Sequence, residues 1–345
     1  MAKKASAKRA PSRKPTPPGR GLAKPAKPRI GRSITLHFQG DWGGANLHRV
    51  CGWLAQELGD RTGEHSRFAI WNGAGGIDSV RAIGRGLVDV SLTTPGAFAR
   101  MALKGRGPYV AESFPHLRGL GTVPQRDRLV LAIDARHNIH SFADLRKRRT
   151  PIRIAASPDD GASHIGFATH RLMEAAGIPR EMLESWGGGY VEAIRPDECI
   201  ALVTSGAADA IFHEAIMTYW WQDLADKHEL TYVPVERSVL RQLERSYGWP
   251  SATLPAGYLR GMTKPLETLD FSDFLLMVRD DMPDDVAELL AYCLVETSAA
   301  LEVQYKHIPP ERSPVTYPLT KETLARTAIP LHPAAERYYK SRRYI

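Results

Sequence analysis

The sequence predicts an α/β protein of two lobes, each a mostly parallel sheet flanked by helices, with two hinge crossings between them. Three observations point there. The chain has 345 residues, more than one hydrophobic core usually serves. From Ser33 onward, short apolar runs alternate with segments of helical periodicity, the pattern of parallel sheets covered by helices. A local device also occurs once in each half: a Gly stops a helix, a short turn follows, and an Asp opens a buried strand. It reads Gly86-Leu-Val-Asp89 before VSL, and Gly206-Ala-Ala-Asp209 before AIF.

The elements follow in order. Ser33–Phe38 reads as a first strand. Asn46–Arg61 is an amphipathic helix that places Leu47, Val50, Cys51, Leu54 and Leu58 on one face. Arg67–Trp71 and Val88–Thr93 are strands on either side of a helix over Gly76–Arg85. In the second half, Ile152–Ala156 is a strand and Ser163–Ala176 a helix stopped at Gly177. Arg195–Ser205 is a helix and Ala208–Phe212 a strand. Two extended segments, Arg128–Asp134 and Asp270–Val278, are natural crossings. They divide the chain into lobe 1 (33–134 and 270–345) and lobe 2 (135–269), with a hinge between them.

Composition narrows the function. The net charge is +8, yet eleven of the 46 basic residues fall within residues 1–32, which contain no Asp or Glu. The remainder carries 35 basic against 38 acidic side chains, a net of −3. The folded part therefore lacks the basic surface that nucleic acid requires, and no nucleic-acid partner is expected for it. Residues 1–32, rich in Lys, Arg, Ala and Pro, predict a disordered tail. The tail lacks the apolar stretch of about 7–15 residues that an export signal needs, so the chain as written is expected to be cytoplasmic. No run approaches the roughly 18 apolar residues of a membrane-spanning helix. Cys51, Cys199 and Cys293 are far apart and form no CxxC, so they are expected as buried free thiols.

Ligands of open α/β sheets bind where strands run into helices. Four such loops carry suitable chemistry: Gly40-Asp41-Trp42-Gly43-Gly44, Trp71 to Gly76, Thr93-Thr94-Pro95, and Ser157 to Ser163. Glycines let backbone approach a ligand closely, and helix starts present unpaired N–H groups to anions. The run NGAGG is no dinucleotide fingerprint, because Asp78 stands where the third glycine of GxGxxG belongs. No cofactor and no metal site are expected.

Read together, these landmarks are similar to the TAXI family of solute-binding proteins, receptors of one branch of the TRAP transporters. The resemblance runs from about Ser33 to Tyr344. It is carried by Gly43-Gly44, GGIDSVRAIGRGLVDVSL, the Ser157–Ser163 loop, GAADAIF, LPAGY, RDDMPDD and above all LHPAAERYY at Leu331–Tyr339. The resemblance implies a type II periplasmic-binding-protein fold, a periplasmic location, TRAP membrane subunits as partners, and a small organic acid or amino acid as ligand. It also implies ligand contacts at Gly43, Gly44, Asn72, Gly75, Thr93, Ser157, Asp160, Ser163 and Phe212, to which His213 is added from its place at a strand end. Two loops depart from the family. GGANLHRV replaces GGTYYPxG, and PDDGAS replaces PGSGT, so Asp159 and Asp160 would repel a carboxylate unless neutralised or turned away.

Catalysis has weaker support. There is no GxSxG, and HEAIM is not HExxH. The remaining enzyme candidate is the pair His213-Glu214 as general acid and base, in a cytosolic enzyme on the same scaffold of the decarboxylase or pyrimidine-synthesis kind. The expectation is that the protein is not an enzyme.

Overall fold

A computed structural model describes residues 28–41, 46–216, 219–310 and 313–345. Two mixed sheets flanked by helices form the molecule. The first has the order β2-β1-β3-β12-β4. Its strands are β1 (Thr35–Gln39), β2 (Arg67–Trp71), β3 (Val90–Thr93), β4 (Leu117–Pro124) and β12 (Asp273–Arg279). β1 pairs in parallel with β2 and β3, and β12 runs antiparallel to both β3 and β4. Helices α1 (Asn46–Arg61), α2 (Ile77–Gly84) and α3 (Ala97–Leu103) connect the early strands.

The second sheet has the order β10-β11-β5-β8-β6-β7, and β9 also pairs with β5. It contains β5 (Arg128–Asp134), β6 (Arg153–Ala156), β7 (Gly189–Glu192), β8 (Ala210–Glu214), β9 (Leu230–Val233), β10 (Ser251–Leu254) and β11 (Leu266–Asp270). β6 lies parallel to β7 and β8, while β5 is antiparallel to β8, β9 and β11. Helices α4 (Phe142–Arg148), α5 (His164–Ala175), α6 (Arg180–Ser185), α7 (Pro196–Thr204), α8 (Tyr219–Lys227) and α9 (Arg237–Tyr247) cover it. The chain closes on the first sheet with α10 (Asp284–Glu296), α11 (Ser298–Glu302), α12 (Lys321–Leu324) and α13 (Pro333–Arg342).

Three expectations need correction. The sheets are mixed rather than mostly parallel, because β5 and β12 enter each sheet against its neighbours. Arg128–Asp134 does not end the first lobe: β5 lies wholly in the second sheet, so the chain changes sheet between Pro124 and Arg128. The segment Asp270–Val278 is two strands, broken where the chain returns between Asp270 and Asp273.

Alternation along the strands explains the layers. Phe274, Leu276 and Val278 face a cluster with α1, α10 and α13, whereas Leu275 and Met277 face a central cluster with α2 and α3. In the second sheet Leu129, Leu131 and Ile133 join that same central cluster, while Val130 and Ala132 face α7 and α8. The predicted face of α1 is buried throughout.

The repeated device serves the same purpose twice. Gly86 and Gly206 have φ of 70° and 75°, a conformation suited to glycine. Asp89 Oδ2 accepts from His37 N at 2.8 Å, and Asp209 Oδ2 accepts from Arg153 N at 3.0 Å. Each carboxylate thereby ties its strand to the neighbouring parallel one.

Of the predicted tail, residues 1–27 lie outside the described residues. Residues 28–32 are docked: Ile30 N donates to Arg61 O at 2.8 Å, and Arg32 pairs with Asp285 at 2.8 Å. Residues 28–32 therefore belong to the folded part, contrary to the expected boundary at 32. All three cysteines are buried and free, and burial pushes the thiols of Cys199 and Cys293 up to about 12. Among the described residues, no helix is long and apolar enough to cross a membrane.

Candidate ligand cleft

The two sheets meet along one rim and leave a cleft beside it. On the closed rim Phe98 of α3 packs on His164, Phe167 and Trp249, with centroids 6.0, 6.1 and 5.8 Å away. Gly76 forms a bridge to Ser163, and Asp78 N donates to Ala162 O at 3.2 Å. Arg81 donates to Gly161 O, and Arg100 donates to Gly248 O at 2.8 Å.

The cleft contains about 480 Å³ of non-protein space, part of it open solvent. One wall comes from segments at the carboxyl ends of the first sheet's strands: Asp41, Asn46 and Leu47 after β1, Gly75 after β2 and Thr94 after β3. Asp127 from the first crossing and Phe274 of β12 complete that side. The facing wall is His164 and Pro196, which open α5 and α7, with Glu214 at the end of β8 and then Ile216 and Trp220. No Lys or Arg is among the described lining residues.

Three of these groups form a buried polar centre. His164 Nε2 lies 3.0 Å from Glu214 Oε1, so the ring donates from Nε2 to the carboxylate. Asp127 also shares a hydrogen bond with Glu214. Burial alone would raise both acids. Contact with His164 and Asp127 reverses this for Glu214, which is held below the usual carboxylate range. Burial and the neighbouring Glu214 charge push Asp127 far up. Two carboxyl groups this close cannot both ionise, so Asp127 holds the proton and donates it to Glu214. Asp127 Oδ1 and His164 Nδ1 have no hydrogen-bond partner among the described residues.

Of the residues expected from the sequence, some line this cleft and others lie beside a residue that does. Gly75 lines the cleft. Thr93 is buried against Gly76 O at 3.3 Å, and its neighbour Thr94 faces the space. Ser163 caps α5 by accepting from Gly166 N at 3.1 Å, and its neighbour His164 reaches the cleft. Asn72 is exposed outside it. Phe212 is buried against Phe142 in the central cluster. Gly43 and Gly44 lie outside the described residues.

His213 is sealed off from the space. Its Nδ1 accepts from Glu214 N at 2.9 Å, and its Nε2 donates to Ser157 Oγ at 3.1 Å. Ser157 Oγ in turn donates to Ile194 O at 3.1 Å. With every site engaged, Ser157 and His213 form an internal brace, and burial lowers the ring to about 4. The pair His213-Glu214 therefore does not present an acid and a base to one substrate.

Among the described residues, four amides in or beside these loops donate to carboxylates of the loops themselves. Asp41 Oδ2 accepts from Leu47 N at 3.2 Å and Asp78 Oδ2 from Ala74 N at 2.7 Å. Asp160 Oδ1 accepts from Ala162 N and Ser163 N at 2.9 and 3.0 Å. Asp159 pairs with Arg171 at 3.0 Å. Each of these loops thus carries its own carboxyl acceptor.

Sequence reading missed Asp127, His164 and Asp41 as lining residues. Asp127 stands in Gln-Arg-Asp-Arg, which looks like a solvated turn, and only the crossing folds it inward. Among the described residues no group of three or more His, Cys, Asp or Glu is arranged to hold a metal ion.

The sequence profile of the NMT1-like family matches residues 50–342. The chain belongs to the NMT1-like family. No curated protein matches it. Several solved structures resemble this NMT1-like chain across most of its length. The methylphosphonate complex of PhnD1 from Prochlorococcus marinus shares 12% identity over 90% of this chain and 99% of that one, with a TM-score of 0.49. A TctC solute-binding protein from Polaromonas shares 11% over 91% and 99%, at 0.47. The alkanesulfonate-binding protein SsuA from Xanthomonas axonopodis shares 15% over 91% and 95%, at 0.40.

Proposed function

We propose that this NMT1-like chain is the solute-binding receptor of a transporter, and that it closes its two lobes on one small organic molecule. The TRAP branch, suggested by the TAXI-like motifs, is the transporter type this reading favours, with its membrane subunits as the partner of the closed form. One observation carries the proposal: a single cleft is walled by segments from the carboxyl ends of strands in both sheets, and the chain crosses between the sheets beside it. A ligand touching both walls favours closure by its difference in affinity for the two states, and by no more than that.

A bare carboxylate is a poor fit for this cleft, because Asp41, Asp78 and Asp160 take four amides in or beside the loops and no Lys or Arg is among the described lining residues. An acid remains suitable when it also brings hydrogen-bond donors for the lining acids. Thermal melting against amino acids, organic acids, phosphonates, sulfonates, sugars and amines tests the proposal. One chemical class should raise the midpoint with concentration, by about 2.7 kcal/mol of stabilisation at a hundredfold excess over Kd. A flat response to every class would overturn the receptor reading.

A further inference from the structure

We infer that the solute carries an apolar body, and that contact of this body with both walls of the cleft is what selects it and drives closure. This rests on the receptor reading and assigns the chemistry of its ligand.

The apolar lining comes from both sheets. Leu47 and Phe274 stand on the first-sheet wall, and Pro196, Ile216 and Trp220 on the facing one. Leu47 and Phe274 belong to the cluster beneath α1 and α10, whereas Trp220 packs on the cluster beneath α7 and α8. Ile216 follows β8 of the second sheet, yet it packs against the cluster of the first. The apolar surfaces of the two walls therefore already meet at Ile216. Ile216 and Trp220 are themselves only partly buried, so each still has apolar surface that a solute can cover.

The polar side chains of the lining are turned to protein partners. Asn46 Nδ2 donates to Gln125 Oε1 at 3.1 Å, and Asn46 Oδ1 accepts from Tyr305 OH at 2.9 Å. Thr94 Oγ1 donates to Phe271 O. Asp41 Oδ2 accepts from Leu47 N. Glu214 is bonded to His164 and to Asp127. Asp127 Oδ1 and His164 Nδ1 are sealed from solvent, and a Cβ at Gly76 would lie 2.2 Å from that ring nitrogen. The described lining thus offers a charged head group no Lys or Arg, while it offers an apolar body contact on both sides.

The energetics follow from this division. Withdrawing apolar surface from water is favourable in proportion to its area. A hydroxyl or amide placed against the same side chains loses water and gains no partner. Open lobes offer the solute one apolar wall, and closed lobes offer two. An apolar body therefore binds the closed form better than the open one, which is the difference in affinity that closure needs.

Calorimetry on the full chain tests this with pairs of equal size and shared head group: valine against threonine, leucine against asparagine, and 3-methylbutanamide against malonamide. In at least one pair the apolar member should bind about tenfold or more tightly than its polar partner, the scale on which an apolar pocket rejects an added hydroxyl. Its binding should carry a negative heat-capacity change. Trp220→Ala should reduce that preference by about threefold or more, and Ile216→Asn should act in the same direction. The wild-type comparison stands even if a variant fails to fold. Equal or tighter binding by the polar members would overturn the inference, as would a preference that neither variant changes. If sugars, phosphonates or sulfonates alone raise the melting midpoint, the apolar assignment falls and the receptor reading stands. If no probe of any class binds, both fall.

Discussion

His213 and Glu214 are neighbours at the end of one strand, yet they serve opposite purposes. Side chains alternate across a strand, so Glu214 reaches the cleft while His213 points into the brace with Ser157. This one-residue offset recurs at Thr93 and Thr94. The loops were legible because Gly, Ser, Thr and Asp cluster after apolar runs. The lining residue within each loop was not legible, because it depends on register and on the tilt of the next helix. Burial also sets the pH behaviour of His213. Its folded pKa of about 4 lies below the usual value near 6.5, so the unfolded chain binds the extra proton between those limits. Stability should therefore be fully present above about pH 6.5 and fall as the pH drops toward 4, by up to about 3 kcal/mol from this residue alone. Urea unfolding of the wild type and His213→Gln between pH 4.5 and 7.5 checks this. The variant should show a flatter acid limb, and parallel curves would exclude the neutral buried ring as the cause.

At the scale of elements, the starts of α2 and α5 approach so closely that only a glycine fits between them. Gly76 has φ of 68°, and a Cβ there would lie 2.2 Å from the His164 ring. Gly206 has a similar φ of 75° but nothing within 4 Å of its Cβ position. The two positions separate conformational strain from collision. Gly206→Ala should cost about 1–2 kcal/mol, the left-handed penalty alone. Gly76→Ala adds overpacking, commonly about 1–3 kcal/mol, and displaces His164 from Glu214. Chemical denaturation should rank Gly76→Ala as the more damaging of the two, and only that change should also weaken ligand binding. Equal costs would mean that His164 swings away freely. The paired Gly-x-x-Asp devices were readable in the sequence because each uses residues fixed by conformation and hydrogen bonding. The sheet to which β5 belongs was not readable, since an apolar run such as LVLAI suits any buried strand.

At the scale of the whole molecule, the two-lobed plan was legible from length and alternation, whereas the contact holding the lobes together was not. That contact is made by residues far apart in sequence: Phe98 against Phe167 and Trp249, Arg81 on Gly161 O, and Arg100 on Gly248 O. Under the proposed closure mechanism, these interactions favour the closed arrangement whether or not a ligand is bound. On that mechanism they set the fraction of molecules ready to hold one. Apparent affinity scales with that fraction. Arg81 and Arg100 lie outside the cleft lining, so Arg81→Ala with Arg100→Ala should leave the ligand contacts intact while loosening closure. Small-angle scattering of the double variant should show a larger radius of gyration without ligand, returning to the wild-type value at saturation. Calorimetry should show a weaker apparent Kd for whichever ligand class raises the melting midpoint. A wild-type radius together with a wild-type Kd would show that the apolar contact around Phe98 holds the lobes by itself.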